Sequence, residues 1–150
     1  MDIEHLLSPA DVIVGLRAPD KRAALQALTH HLAAKLNLSP KDVLSAVLRR
    51  EELGSTGLGN GVAVSHARLD AVTRPAGVLA RLKHPIAFEA IDGHPVDLVC
   101  LLLLPASPQG VQLQALACVA RTLRDADVLV RTRRAGDRDA VFAALTSKAA

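Results

Sequence analysis

The spacing of apolar residues changes period several times along the chain, and each change predicts an element. "DVIVGL" (11–16) is a short apolar run that predicts a strand. In "PDKRAALQALTHHLAAKLN" (19–37), Leu25, Leu28, Leu32 and Leu36 recur every three or four residues and form the apolar stripe of a helix, with Asp20 placed to cap its start. Ser39-Pro40-Lys41-Asp42 signals a second helix: a hydroxyl at the cap, proline at the first helical position, an acid three residues after the cap. That helix, "DVLSAVLRREEL", runs into Gly54. "VAVS" (62–65) predicts a short strand, and "AGVLARL" (76–82) alternates as a second. "IAFEAI" (86–91), "DGHP" and "VDLVCLLLL" (96–104) read as strand, turn, strand. The last is apolar at nearly every position, which places it at the centre of a sheet covered on both faces. "VQLQALACVARTLRD" (111–125) is helical, with Leu113, Leu116 and Val119–Ala120 on one face, and "ADVLVRTRRA" and "DRDAVFAALTSK" predict two short helices. Helices on both sides of a four- or five-stranded sheet make a single three-layer α/β domain spanning 1–150.

Composition narrows what such a domain does. Half of the 150 residues are hydrophobic and 22% are charged, which excludes disorder. Phe88 and Phe142 are the only aromatics, so the core is aliphatic and base stacking on aromatic side chains is nearly excluded. A net charge of +3 permits an acidic partner without demanding nucleic acid. Arg131, Arg133, Arg134 and Arg138 are interleaved with Asp137 and Asp139 and read as a solvated helix face and turn. Cys100 and Cys118 sit in apolar contexts without a C-x-x-C pair and read as buried free thiols of a reducing cytosol. The N-terminus lacks the basic-then-apolar pattern of a signal peptide, and the most apolar run, 96–105, falls short of the ~18 residues a spanning helix needs. The expectation is a cytoplasmic protein that does not insert into membranes.

The candidate chemistry lies in "GSTGLGNGVAVSHARLD" (54–70), where four glycines fall within eight residues. Nucleotide loops run strand, glycines, helix, so that the helix N-terminus faces the phosphates. Here a helix precedes the glycines and a strand follows, and no G-K-[S/T] occurs. The glycines therefore mark turns whose backbone N–H groups can line an anion-binding concavity, with Ser55, Thr56 and Asn60 adding side-chain donors. His66 follows the short apolar strand. A neutral imidazole is nucleophilic near pH 7 and can accept a phosphoryl group. Such a site needs one free ring nitrogen, the other held by a hydrogen bond, and donors for the phosphoryl oxygens. Arg49 and Arg50 end the preceding helix and can supply a guanidinium. The other histidines, His5, His30, His31, His84 and His94, read as surface or structural, and no His/Cys/Asp set has metal-ligand spacing.

"RREELGSTGLGNGVAVSHARLD" (49–70) resembles the phosphoacceptor segment of the IIA components of the bacterial phosphotransferase system, in the fructose–mannitol superfamily. "HPIAFEAIDGHPVDLVCLLLLPA" (84–106) resembles the same family, and the glycine pattern with "PIAF-AIDG-PVDL" looks most like its nitrogen-regulatory branch. The resemblance extends over essentially the whole chain. It implies a mixed sheet between helices, and a phosphoryl carrier with no cofactor rather than an enzyme that turns over a small molecule. It implies that His66 is the phosphoacceptor, as a tele-phosphohistidine, that Arg50 helps hold the phosphoryl group, and that Ser55 and Thr56 are the Ser-Thr pair of the loop. The donor it implies is an HPr-like phosphocarrier, charged from phosphoenolpyruvate through enzyme I, and the outcome is regulation of target proteins by phosphorylation state.

Three positions depart from the family pattern. Ser65 stands where the family has proline and Ala67 where it has glycine. Gln112 stands where many members carry a second histidine; it can donate a hydrogen bond to a phosphoryl oxygen but cannot become cationic. These departures motivate one alternative, an interaction module with a vestigial site. Another alternative is a sugar-specific IIA component that passes the phosphoryl group to a IIB domain.

Overall fold

A computed structural model describes residues 1–54, 57–90 and 92–146. After two 3₁₀ turns (Ile3–His5 and Pro9–Asp11) the chain forms β1 (Val12–Leu16), α1 (Lys21–Leu36), α2 (Pro40–Glu52), β2 (Gly57–Gly59), β3 (Val62–Leu69), β4 (Ala76–Ile86), β5 (Val96–Pro105), α3 (Gln109–Arg124), α4 (Ala126–Arg134) and α5 (Arg138–Thr146). The sheet has the order β1-β4-β5-β3-β2. β1 pairs parallel to β4 and β3 parallel to β5, whereas β4–β5 and β2–β3 are antiparallel. This is the mixed α/β architecture expected.

Both predicted helix starts are made. The Asp20 carboxylate accepts from Ala23 N at 2.8 Å, and the Ser39 hydroxyl accepts from Asp42 N at 3.3 Å with Pro40 as the first helical residue. β5 is the central strand, and its side chains alternate between two cores. Val99, Leu101 and Leu103 meet Leu25, Leu28, Leu32, Val43 and Val47 of α1 and α2. Leu98, Cys100, Leu102 and Leu104 meet Ala115, Cys118, Val119, Leu129 and Val141 of α3, α4 and α5. Among the described residues no helix is long and apolar enough to cross a membrane.

Three local expectations are corrected. "VAVS" is only the first half of β3, which continues through Ser65↔Leu101 and His66↔Leu102 to Leu69↔Pro105, so His66 lies within the strand rather than beyond it. "IAFEAI" is not a strand: Ile86 ends β4, and 87–90 leave the ladder. There the Phe88 side chain is fully buried in the α1–α2 core, and Glu89 takes φ +55°. Leu113 does not face the sheet. α3 buries Gln112, Ala115, Cys118, Val119 and Leu123, and Leu113, about 100° around the helix from Gln112, is 68% exposed.

Candidate functional site

β2 covers only the first residues of β3, pairing at Val62 and Ala63. Farther along, the side chains of β3 alternate. Ala63 and Ala67 belong to the core under α1 and α2, whereas Val62 and Val64 belong to the core under α3. The period of two then puts Ser65 on the α1–α2 side, and His66 and Arg68 together on the α3 side. His66 opens onto a cleft of about 690 Å³ between α2, the far half of β3 and the first turns of α3. Arg49, Arg50 and Leu53 line it from α2, Arg68 and Asp70 from the β3 end, and Gln112 and Leu116 from α3.

The His66 imidazole is half-buried, and its pKa lies below the ordinary histidine value. Burial is the largest cause, followed by the positive charges of Arg50 and Arg68. All three disfavour the protonated ring, so the nucleophilic neutral form is the resting one at neutral pH. Nδ1 is buried and has no hydrogen-bond partner among the described residues, so the bond expected to hold one ring nitrogen is not made there. The distal nitrogen, Nε2, is then the one available from the cleft.

Two arginines beside one histidine make an anion site. Arg50 Nη1 reaches the Gly54 carbonyl at 3.5 Å, a marginal hydrogen bond, so its guanidinium is not consumed by the fold. Arg68 projects from β3 two residues after His66 and was not singled out as a phosphoryl ligand from the sequence. The signal was present as the i, i+2 spacing, which counts only once β3 is known to extend that far. Ser55 and Thr56 lie outside the described residues.

Gln112 is buried at the mouth of the cleft, and its amide nitrogen donates to the carbonyls of Pro105 at 2.8 Å and Ala106 at 2.9 Å. Both amide hydrogens are thus committed to the β5–α3 connection. Donation to a bound phosphoryl oxygen, the role expected from the sequence, requires one of these bonds to break.

On the far side of β3, the Ser65 hydroxyl donates to Glu51 Oε1. Both residues are buried, and Glu51 was not nominated from the sequence. No group of three or more His, Cys, Asp or Glu side chains that could hold a metal ion occurs among the described residues.

Residues 5–148 match the family described as phosphoenolpyruvate-dependent sugar phosphotransferase system, EIIA 2. The chain belongs to that family. Its similarity within the EIIA 2 family runs to the nitrogen-regulatory kind. A nitrogen regulatory protein of Bradyrhizobium diazoefficiens is 39% identical over 145 residues, covering 97% of this chain and 95% of that protein. One from Escherichia coli K12 is 41% identical over 127 residues, covering 84% of this chain and 78% of that protein. The crystal structure of nitrogen regulatory protein IIA-Ntr from Neisseria meningitidis matches with a TM-score of 0.90 at 30% identity, covering 96% of this chain and 99% of that one. The E. coli mannitol IIA crystal structure, at 23% identity and a TM-score of 0.76 over 92% of this chain and 97% of that one, shares the EIIA 2 fold.

Proposed function

We propose that this protein is a regulatory phosphoryl carrier of the nitrogen-regulatory branch, with His66 Nε2 as acceptor and an HPr-like phosphocarrier as donor. The observation that carries the reading is a half-buried imidazole that shares one open cleft with Arg50 and Arg68, where burial and both arginines push its pKa below the ordinary value. The lone pair on Nε2 attacks phosphorus as the P–N bond to the donor histidine breaks, and the electron pair of that bond returns to the donor ring. The proton on His66 Nδ1 stays in place, and the donor ring leaves neutral because its second nitrogen carries a proton. Arg50 and Arg68 offset the charge on the equatorial oxygens, and phosphoryl transfer depends mostly on such positioning and electrostatics. Ser55 and Thr56, which follow Gly54 in the chain, complete the proposed phosphoryl-binding set on sequence grounds.

The phosphoryl group adds about 1.5 to 2 negative charges to a cleft dominated by arginine, which reverses its local sign. Target proteins docked there are discriminated by that reversal. On this reading the donor chain begins at phosphoenolpyruvate and enzyme I, and the protein acts in the cytoplasm.

The test is incubation with phosphoenolpyruvate, enzyme I and the carrier, followed by intact-mass measurement. An acid-labile phosphoryl adduct that disappears in His66→Ala is the expected result; no adduct, or one that survives the substitution, refutes the reading. The commitment of both Gln112 hydrogens to backbone carbonyls supports a second reading, in which the cleft binds partners without being phosphorylated. That reading expects partner affinity to be indifferent to His66→Asp.

A further inference from the structure

Glu51 is a carboxylate buried among α1, α2 and β3. Its side chain is 5% exposed, with Oε1 accepting from the Ser65 hydroxyl and Oε2 lacking a hydrogen bond. The nearest cation is the Lys21 ammonium, at 3.8 Å from Oε2. Lys21 is itself shared, lying 3.9 Å from the Glu89 carboxylate and 4.9 Å from the centre of the Phe88 ring. A buried carboxylate so thinly partnered is poor value for stability alone, since an apolar pair of similar volume usually does as well or better. What it provides is a fixed geometry.

The two ends of that geometry are the chain neighbours of the two central groups in the cleft. Glu51 follows Arg50, and Ser65 precedes His66. Successive side chains on a strand point to opposite faces, so anchoring Ser65 under the sheet sets where His66 emerges above it. Successive residues of a helix are about 100° apart, so Glu51 pinned into the core turns Arg50 away from the core and toward the open edge of β3. The last turn of α2 otherwise has little to hold it: Arg50 makes one 3.5 Å contact with Gly54, and Leu53 is 81% exposed. A residue at position 65 without a side-chain donor, such as the proline of the family pattern, cannot make this bond.

We propose that the Ser65–Glu51 hydrogen bond is a staple between α2 and the underlying face of the sheet that holds Arg50 beside His66, which makes Ser65 and Glu51 positioning residues of the phosphoacceptor site. The inference rests on the reading of His66 as acceptor only for its kinetic consequence; the staple itself is read out on the unphosphorylated protein.

The test follows the His66 ring resonances through a pH titration by NMR in the wild type, Ser65→Ala, Glu51→Gln, Glu51→Leu, Arg50→Ala and the Ser65→Ala/Arg50→Ala double variant. The charged groups around the ring, Arg49, Arg50, Arg68, Asp42 and Asp70, are otherwise unchanged. Loss of the staple lets Arg50 move away, so Ser65→Ala and Glu51→Leu raise the His66 midpoint in the direction Arg50→Ala does. The double variant titrates like Arg50→Ala alone, and Glu51→Gln, which keeps an oxygen acceptor, retains the wild-type midpoint. In single-turnover phosphotransfer, Ser65→Ala slows the step roughly tenfold or more with the carrier concentration at half-maximal rate unchanged, as a misplacement of about 1 Å would. A folded Ser65→Ala protein with the wild-type His66 midpoint overturns the proposal, as does a double variant whose midpoint shift is the sum of the two single shifts. A wild-type protein that takes up no phosphoryl group refutes the functional reading instead, and the titrations still decide the staple.

Discussion

Arg133 grips Asp97 with two hydrogen bonds, Nε to Oδ2 at 3.0 Å and Nη2 to Oδ1 at 2.8 Å, and the same Nη2 donates to the Asn60 carbonyl at 2.5 Å. Helix α4 is thereby fastened to the start of β5 and to the turn between β2 and β3. From the sequence, Arg133 belonged to a solvated basic face; in the fold it is the partner of the glycine turn. Gly61, at φ +80°, sits under this pair, and a Cβ there would lie 2.7 Å from Arg133 Nη2 and 2.9 Å from Asp97 Oδ1. Gly61→Ala is therefore expected to cost about 1–3 kcal/mol, part of it from the left-handed backbone. Urea unfolding of Gly61→Ala, Arg133→Ala and the double variant checks this. The double variant should lose less than the sum, because truncating Arg133 relieves half of the clash.

Arg68 shares the His66 face of β3 and is one of the two charges that hold the imidazole neutral. Arg68→Gln should raise the His66 pKa and weaken the hold on a bound phosphoryl group. NMR titration of His66 reads the first effect. Phosphotransfer, slowed about tenfold or more if one charge-stabilising donor is lost, reads the second.

His66 also leaves a mark on stability. Its folded-state pKa is below the ordinary value of 6.5 because of burial, Arg50 and Arg68. Between the folded-state pKa and 6.5 the unfolded chain binds more protons than the folded one, so stability falls as pH drops through this window and recovers as pH rises above it. His66→Asn removes that slope. Unfolding free energies of the two proteins between pH 5 and 8 should keep a constant difference above pH 6.5, and toward acid the wild type should lose stability relative to His66→Asn.

Asp11 acts in a lower window. Burial pushes its carboxyl up, but the Lys35 ammonium at 2.5 Å, the Ser8 N–H and hydroxyl, and the His31 ring at 2.9 Å outweigh it, and the pKa lies below the ordinary carboxylate value of 3.8. Its contribution is fully present above 3.8 and is lost as pH falls through the folded-state value. Asp11→Asn should cost about 1–3 kcal/mol near neutral pH and progressively less in acid, as measured by denaturant unfolding.

Cys100 and Cys118 are both buried, and burial pushes the Cys100 thiol up to about 12. Neither should react with a thiol reagent in the native protein, since the thiolate is the reactive form. Labelling followed against denaturant should track global unfolding; rapid labelling in buffer would contradict the buried placement.

The helices were legible because their signals are local. Asp20, Ser39 and Pro40 act on residues three or four positions away, and the leucine stripe of α1 needs only its own periodicity. β5 was legible because a run apolar at every position from Leu98 to Leu104 fits the centre of a sheet covered on both faces. His66 and Arg50 were nominated through a family pattern of chain-adjacent residues.

What the sequence by itself determined, then, is the α/β class, the central strand, the helix starts and the nomination of His66, since each rests on residues close together in the chain. Only the tertiary structure decided that β3 runs on through His66 to Leu69. The polar residues Ser65, His66 and Arg68 interrupt its apolar pattern, and pairing with the distant β5 is what holds them extended. The same ladder put Arg68 on the His66 face and Ser65 against Glu51, while "IAFEAI" leaves the sheet after Ile86 with Phe88 buried in the α1–α2 core. Gln112 and Leu113 changed places relative to the expected helix face because the sheet, which the helix sequence does not encode, chooses which side of α3 is buried. Contacts between residues far apart in sequence carry no local signature, and the cleft is made almost wholly of such contacts.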